Sequence, residues 1–361
     1  MLRVGLVGTG LIATLKHLPA WRRAARKGLG RVVALCDVDP QRGRAVASAH
    51  GVPAVYEDAA EMCRREGLDA VDVCTPPASH APVVVAALQA GAHVMVEKPM
   101  ATSVAECDLM MEAAAAAART LCVVHSDLFY RSFLDARARL RGGEVGAFRG
   151  MRILLSTPVD YITSKADHWA HRLPGGVLGE TGPHAVYMTL AFIPEIARAS
   201  VRARKLLGEY PWSPYEDYRI ELSGETATSS IALTYCTRQW AAQVELWGEG
   251  GFLRADLETQ AVACYRRPAL TAAAAASSAL GETAGALVSG GWAGLSRLAG
   301  RALTTHDVFV QRFAACLRGE APPPVTAAEG REAVRVLALL VQALEEQASA
   351  ERGACAGSAA S

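Results

Sequence analysis

The first 125 residues alternate between short apolar runs and segments with the composition and spacing of helices. We predict strands at 2–7, 31–36, 52–56, 70–75, 93–97 and 121–125, and helices from 14 to about 27 and at 41–49, 58–66, 81–90 and 104–118. Strands that alternate with helices are typical of a parallel sheet with helices on both faces. This part of the chain is therefore predicted to be a doubly wound α/β domain.

Beyond about residue 131 the pattern changes. One helix at 133–141 precedes strand-like segments at 148–157, 199–206, 218–222, 229–236, 242–247, 251–256 and 261–265, with one further helix at about 183–192. Such a run of strands favours an α+β domain with a mainly antiparallel open sheet. Helices at 306–318 and 327–346 close the chain. We expect a first domain at 1–125, a second at 126–348 and a disordered tail at 349–361.

The second domain carries an unusual insert at 271–303, rich in alanine, glycine and serine with scattered leucines. Helical packing is the simplest interpretation, because alanine is the best helix former. Covering an active site, lining an oligomer interface and touching lipid are the alternatives.

The stretch from residue 1 to Asp37 forms a βαβ unit with a glycine-rich turn, Gly8-Thr9-Gly10-Leu11-Ile12-Ala13. Gly8 permits a tight turn, and Gly10 lets the backbone approach a pyrophosphate at the start of a helix. Asp37 follows the second strand, where a carboxylate accepts hydrogen bonds from a ribose diol and repels a 2′-phosphate. The sequence therefore predicts a Rossmann-like dinucleotide site that prefers NAD to NADP.

Ligands bind beyond the carboxyl ends of strands in such sheets. The glycine turn, the loop from Thr75 to His80 and the segment from Glu97 to Pro99 all follow strand ends. We expect Pro76 and Pro77 to form a rigid wall and His80 to fix its loop near the nicotinamide. By the same argument His125 either reaches the substrate or is structural.

The composition of the chain limits which classes of binding partner and which compartment we expect. Lys and Arg number 37 and Asp and Glu 36, a net charge of +1, which does not favour nucleic acid or an acidic membrane as partner. The nine cysteines are scattered without a CxxC pair, as expected for reduced thiols in the cytoplasm. Met1 leads directly into the first strand, so we expect neither a signal peptide nor a membrane span.

Five motifs together resemble the glucose-fructose oxidoreductase/inositol dehydrogenase/MocA family. They are GTGLIA at 8–13, the acid Asp37, TPPASH at 75–80, EKP at 97–99 and GGVLGETGPH at 175–184. The resemblance covers almost the whole chain. It implies an NAD(P)-dependent dehydrogenase of sugars, cyclitols or their derivatives, a homodimer or homotetramer built on the open sheet of the second domain, and a cis bond before Pro99.

The resemblance also implies residue roles. Lys98 falls on the family's catalytic lysine, His184 on its active-site histidine and Glu180 on the acid four residues earlier. Glu180 replaces the usual aspartate, and Tyr187 replaces a second acid found in many members, so a carboxylate that binds polyols is missing. We place Tyr187 at the substrate, and we expect a helix that begins between Gly182 and Pro183.

The string His168-Trp169-Ala170-His171, followed by Glu180 and His184, raises the question of zinc. The resemblance accounts for Glu180 and His184 without a metal, so no metal site is predicted. Trp169 and Arg172 are interpreted as a loop over the substrate, in which the aromatic face stacks on a sugar ring. A surface loop with one buried tryptophan is the alternative.

These observations predict hydride transfer between nicotinamide and a carbinol or ketone carbon of a carbohydrate-like molecule. Lys98, partly desolvated beside a cationic nicotinamide, would have a lowered pKa and act as general acid or base, with His184 assisting at the same carbinol. Two alternatives stay open. One is a glycoside hydrolase or lyase that recycles bound NAD through oxidation and elimination, and the other is a non-catalytic nucleotide-bound sensor.

Overall fold

The computed structural model describes residues 1–300 and 302–358. The chain divides into two compact units. The first comprises Met1–Phe129 and Leu303–Arg335, and the second comprises Tyr130–Ala302 and the chain from Val336 onward.

The first unit contains a six-stranded parallel sheet. Its strands are β1 (Leu2–Val7), β2 (Gly30–Cys36), β3 (Ala54–Tyr56), β4 (Ala70–Val73), β5 (His93–Glu97) and β6 (Leu121–Val124). They lie in the order β3-β2-β1-β4-β5-β6, so the direction of winding reverses between β1 and β4. This is the doubly wound topology that the strand-helix alternation predicted, and its reversal point is where such sheets bind ligands.

Helices cover both faces of this sheet. A π-helical turn (Ala13–His17) leads into α1 (Leu18–Arg26), and the other crossover helices are α2 (Pro40–His50), α3 (Ala59–Glu66), α4 (His80–Gln89) and α5 (Val104–Ala116). Side chains of Asp39, Asp58 and Ser103 accept hydrogen bonds from the first backbone amides of α2, α3 and α5. These caps satisfy donors that a helix start leaves without partners, which is why the predicted helix starts agree closely with the structure.

The second unit contains a seven-stranded sheet behind helix α6 (Arg131–Arg141). Its strands are β7 (Phe148–Ser156), β8 (Arg198–Arg204), β9 (Asp217–Ser223), β10 (Thr228–Thr234), β11 (Ala241–Gly248), β12 (Gly251–Asp256) and β13 (Val262–Tyr265). The order is β13-β12-β11-β7-β10-β9-β8, and every pair is antiparallel except β7 with β10. Alternate residues of β9, β10 and β12 are buried, as the predicted open sheet requires.

Helix α7 (Val177–Leu190) begins earlier than the sequence suggested. Its N-cap is Gly176 at φ +61°, and Pro183 lies inside the helix rather than at its start. A proline here leaves the carbonyl of Gly179 without its usual donor. A Cβ on Gly179 would lie 2.4 Å from the carbonyl oxygen of Pro174, so the missing side chain permits the close first turn. The prediction that the helix starts between Gly182 and Pro183 is wrong.

The insert forms one long helix, α8 (Ala272–Leu298), which packs against β13. The Ser289 hydroxyl accepts a hydrogen bond from the backbone amide of Val262 at 2.8 Å. Leu280, Leu287 and Trp292 on α8 are more than 60% exposed. Among the described residues, no helix combines the length and the apolar character needed to cross a bilayer.

Helix α9 (Thr305–Leu317) and the start of α10 (Ala327–Ser358) belong to the first unit, although the sequence assigned both helices to the second domain. Phe309, Val310 and Phe313 of α9 are fully buried in the core of the first sheet. Hydrophobic spacing identifies the buried face of a helix, but it does not say which of two cores that face joins. Of the expected disordered tail, residues 349–358 lie in α10 and residues 359–361 lie outside the described part.

Candidate active site

The glycine turn after β1 is shaped by two glycines in different ways. Gly8 has φ +89°, and a Cβ there would lie 2.9 Å from the backbone of Cys74. A Cβ on Gly10 would meet nothing within 4 Å. Gly8 is therefore required by the fold itself, whereas the space beside Gly10 is open. Leu11 is 59% exposed and Ile12 is partly exposed, so the turn is accessible.

Asp37 is buried at the end of β2 and accepts several hydrogen bonds. Thr9 donates through its backbone amide at 2.8 Å and its hydroxyl at 2.5 Å, and the Asp39 amide donates at 2.9 Å. The Arg42 guanidinium donates to Asp37 Oδ1 at 2.6 Å. Burial would raise the pKa of Asp37, but the hydrogen bonds from Arg42 and Thr9 outweigh burial and hold that pKa well below its usual range.

The residues around this turn fit a dinucleotide. The hydroxyl oxygen of Thr75 is buried and has no hydrogen-bond partner among the described residues, and its methyl group lies against Gly8. The first amides of a helix bind anions. Val38, directly after Asp37, is 87% exposed and offers apolar surface next to that carboxylate. Sequence reasoning missed Val38 and Arg42, although both lie close to Asp37 in the chain.

His80 fastens two of the strand-end loops together. Its Nε2 atom lies 2.8 Å from the carbonyl oxygen of Thr75, and its Nδ1 atom lies 3.0 Å from that of Pro99. Burial lowers the pKa of this ring. Pro77 beside it is buried and Pro76 is exposed. These contacts place the His80 ring between the Thr75 and Pro99 carbonyls, and its place near the nicotinamide stays a prediction.

Lys98 follows β5 directly and is partly exposed. Its backbone amide donates to Glu97 Oε2 at 3.0 Å, and the bond from Lys98 to Pro99 is cis. Glu97 as a whole residue is only 6% exposed. The sequence placed Glu97 at the cofactor, whereas the structure gives its carboxylate partners in the protein interior. His125, after β6, is 2% exposed.

The structure also shows a buried cluster of polar side chains that sequence reasoning missed. One of its members, Glu97, directly precedes Lys98. His17 lies between two carboxylates, with Nδ1 2.8 Å from Asp72 Oδ2 and Nε2 2.9 Å from Glu97 Oε1. The Trp21 indole donates to Asp72 at 2.8 Å, and His306 Nε2 lies 3.6 Å from Glu97 Oε1. No local motif signals this cluster, because its members come from four separate segments of the chain.

In the second unit, α7 carries Glu180 and His184 one turn apart. The Thr181 hydroxyl donates to Glu180 Oε2 at 2.7 Å. His184 Nδ1 lies 2.7 Å from the hydroxyl oxygen of Tyr187, which is 2% exposed. The sequence placed Tyr187 at the substrate, whereas the structure shows it buried and bonded to His184.

The turn Trp169–Arg172 precedes α7. The rings of His168 and Trp169 stack with centroids 5.4 Å apart, and Arg172 is exposed. Among the described residues, the groups of side chains able to hold a metal ion are His17, Asp72 and Cys74, and His17, Glu97 and His306. The string at 168–171 forms no such group.

The strand order, the glycine turn and the acid after β2 are those of a dinucleotide-binding protein, which here carries a second, mainly antiparallel unit. Residues 2–125 match the model of the oxidoreductase family with an NAD-binding Rossmann fold. Inositol 2-dehydrogenase 1 from Saccharopolyspora erythraea is 30% identical over 295 residues, which cover 73% of this chain and 82% of that protein. The chain belongs to the Gfo/Idh/MocA family of oxidoreductases and uses a nicotinamide cofactor.

Further relatives agree with this assignment. D-apiose dehydrogenase from Paraburkholderia graminis is 27% identical over 343 residues, which cover 93% of this chain and 84% of that protein. The oxidoreductase domain protein from Kribbella flavida is 25% identical with a TM-score of 0.77, covering 96% of this chain and 97% of that one. The WlbA dehydrogenase from Bordetella pertussis, crystallised with NADH and UDP-GlcNAcA, shares the fold at 19% identity and a TM-score of 0.79, covering 96% of each chain.

Proposed function

We propose that this protein transfers a hydride between nicotinamide and a carbinol or ketone carbon of a sugar, cyclitol or sugar derivative, with Lys98 as general acid and base. The supporting observation is the position of Lys98 directly after β5. In a parallel sheet the carboxyl ends of β1, β4 and β5 lie at one edge, so Lys98 follows the same edge as the Gly8 turn and the Thr75 loop. The relatives named for D-apiose and inositol support the substrate class.

The proposed chemistry balances as a two-electron oxidation. The carbinol carbon loses a hydride to the bound nicotinamide, and its hydroxyl loses a proton to the neutral amine of Lys98. Reduction runs in reverse, with the Lys98 ammonium returning the proton to the forming alkoxide. His184 and Glu180, one turn apart on α7, assist by hydrogen-bonding the substrate hydroxyls.

We propose NAD as the preferred nucleotide, because the buried Asp37 carboxylate would repel a 2′-phosphate. The neighbouring Arg42 weakens this preference for NAD over NADP. Its guanidinium occupies the Asp37 oxygens, and about half of its side chain is exposed at 49%. An arginine beside this position accommodates the 2′-phosphate of NADP in other dinucleotide enzymes. Use of NADP at lower efficiency is therefore part of the proposal.

We propose a homodimer or homotetramer formed through the outer face of the second sheet, in a reducing cytoplasm. That face presents Phe252, which is 40% exposed, beside an ion-paired strip of Arg152, Glu245 and Arg254. The eight cysteines whose side chains the structure describes are free thiols, which supports a reducing compartment. Light scattering after size-exclusion chromatography tests the oligomer, and a monomer at micromolar concentration would contradict it.

The experiment for the proposed function is a screen of NAD and NADP against sugars, cyclitols and nucleotide sugars, followed by the Lys98→Ala variant. We expect kcat to fall about 10²- to 10⁴-fold, as the loss of a general acid–base group does, with little change in nucleotide affinity. Lys27→Ala, which removes an exposed lysine of the same unit, is the matched control. Wild-type turnover by Lys98→Ala would overturn the proposal. Turnover without net formation of reduced nicotinamide would favour the redox-elimination alternative.

A further inference from the structure

His17 is completely buried, yet a carboxylate lies at each of its ring nitrogens. Asp72 oxygens lie 2.8 and 3.0 Å from Nδ1, and a Glu97 oxygen lies 2.9 Å from Nε2. The side chains of His17 and Asp72 have no exposed surface, and that of Glu97 is 8% exposed. These separations are those of charge-assisted hydrogen bonds.

Ionised carboxylates only accept hydrogen bonds, so each ring nitrogen of His17 must carry a proton to satisfy its neighbour. Burial, the largest single influence, would lower the pKa of this ring, but the interactions with Asp72 and Cys74 together outweigh burial and hold the pKa well above its usual value. The Glu97 carboxyl shows the complementary effect. Burial would raise its pKa, but the His17 and His306 rings hold it well below its usual range. A proton thus accounts for this spacing without a metal ion.

Glu97 connects this buried pair to the active-site segment. One of its oxygens faces His17, and the other accepts the backbone amide of Lys98 at 3.0 Å. On the far side of Lys98, the carbonyl oxygen of Pro99 lies 3.0 Å from Nδ1 of the buried His80 ring. The Glu97 carboxylate therefore holds the Lys98 amide directly, and the next peptide group packs against His80.

We propose that His17 is a positioning residue for Lys98, in that its doubly protonated ring, clamped by Asp72, fixes the Glu97 carboxylate that holds the Lys98 amide. This inference rests on the proposed function of Lys98. His17 touches neither cofactor nor substrate in this role. Its effect is to keep the amine of Lys98 in the geometry for proton transfer, and small misplacements of a catalytic group are costly.

Two substitutions test the hydrogen bonds of the two His17 ring nitrogens separately. The amide nitrogen of asparagine in His17→Asn replaces Nδ1, so it keeps a donor for Asp72 and loses the donor for Glu97. The longer glutamine in His17→Gln places its amide near Nε2, so it keeps the donor for Glu97. His50→Asn is the matched control, because it makes the same substitution at a partly exposed histidine of the same unit, on α2.

The first measurement needs no substrate. Protein labelled with ¹⁵N-histidine is followed by two-bond ¹H–¹⁵N spectra between about pH 6 and 8, a range in which an ordinary histidine loses its charge. His17→Gln assigns the signal. We expect both His17 nitrogens to stay protonated across the range. A single protonated nitrogen at neutral pH would overturn the proposal, whatever the role of Lys98.

The second measurement is the steady-state kinetics of the substrate found in the screen, with myo-inositol and D-apiose as first probes. We expect His17→Asn to lower kcat about 10- to 100-fold with the KM for nucleotide nearly unchanged, and His17→Gln to restore most of kcat. His50→Asn should stay close to wild type. Equal losses in both His17 variants, or a wild-type kcat in His17→Asn, would overturn the positioning role.

The outcomes for Lys98 and His17 can be told apart. If Lys98→Ala is inactive and His17→Asn is fully active, the positioning role fails and the proposed function stands. If Lys98→Ala is fully active while the His17 ring is doubly protonated, the proposed function fails. The contacts of His17 with Asp72 and Glu97 are then present but do not serve catalysis. If His17→Asn does not fold, the spectra of the wild type and the kinetics of His17→Gln, which must keep most of kcat, decide.

Discussion

The Nδ1 atom of His184 lies 2.7 Å from the hydroxyl oxygen of Tyr187, three residues further along α7. Residues three apart on a helix are surface neighbours, so this bond follows directly from both residues lying on α7. The tyrosine stands where many relatives are expected to carry an acid. A neutral hydroxyl in that place fixes the orientation of the His184 ring rather than adding a carboxylate for polyols.

Tyr187→Phe removes this bond and leaves the ring packing in place. We expect kcat to fall roughly three- to tenfold, which corresponds to about 0.5–1.5 kcal/mol for a single hydrogen bond. Steady-state kinetics with the best substrate of the screen checks the result. Tyr218→Phe is the matched control, because it removes another buried tyrosine hydroxyl, one that donates to the carbonyl of Tyr215. Equal effects of the two substitutions on kcat would contradict an active-site role for Tyr187.

Gly8→Ala and Gly10→Ala separate folding from nucleotide binding. A Cβ at Gly8 would lie 2.9 Å from backbone atoms and at φ +89°, so we expect a clear loss of melting temperature. A Cβ at Gly10 meets nothing within 4 Å in the protein, so Gly10→Ala should melt like the wild type. It should bind NAD at least about tenfold more weakly, because the Cβ takes space that the pyrophosphate needs. Thermal melts and NAD titration test both, and tight NAD binding by Gly10→Ala would refute the assigned site.

Arg42→Ala tests the choice between the two nucleotides. Without its guanidinium, Asp37 keeps its bonds from Thr9 and Asp39, and its oxygens become more accessible to a ribose diol. We expect the KM for NADP to rise about tenfold or more, as expected when a hydrogen bond to a charged group is lost, while the KM for NAD falls or stays unchanged. Arg44→Ala, on the same helix, serves as the control. A rise in the KM for NAD alone would show that Arg42 supports NAD binding instead.

The His17 clamp predicts a specific dependence of stability on pH. A group whose pKa is raised by folding stabilises fully below its unfolded pKa, 6.5 for histidine, and this contribution is lost as pH rises through the folded value. Removing one partner of a buried ion pair costs about 3–5 kcal/mol. We therefore expect His17→Asn to reduce the free energy of unfolding by this amount near pH 6, and by less at alkaline pH.

Denaturant unfolding at several pH values measures this difference, with His50→Asn as the matched histidine control. Burial lowers the pKa of His50, so its effect must have the opposite sign, with the wild type gaining relative to His50→Asn as pH rises. The charged and titratable groups that face His17 are Asp72, Cys74, Glu97 and His306, and Lys16 acts on His306. A difference for His17→Asn that grows with pH would contradict the doubly protonated ring.

The sequence by itself determined the parts of this protein whose causes are local. The predicted strands at 2–7, 93–97 and 251–256 agree with β1, β5 and β12 residue for residue, since each is an apolar or alternating run bounded by turn residues. The glycine turn with Asp37 and the segment at 97–99 identified the family for the same reason. Such a motif can be recognised from the sequence alone, because all of its residues lie in one short segment.

Tertiary structure alone decided which distant residues meet. His17, Asp72, Glu97 and His306 share one buried cluster although up to 289 positions separate them, from 17 to 306. A lone histidine or aspartate carries no signal of its partner, because burying a charge is tolerated only when an opposite charge from elsewhere arrives with it. The start of α7 and the membership of α9 in the first core were likewise set by packing between segments far apart in the chain. The joint action of Lys98 and His184 on one carbinol stays a prediction from sequence.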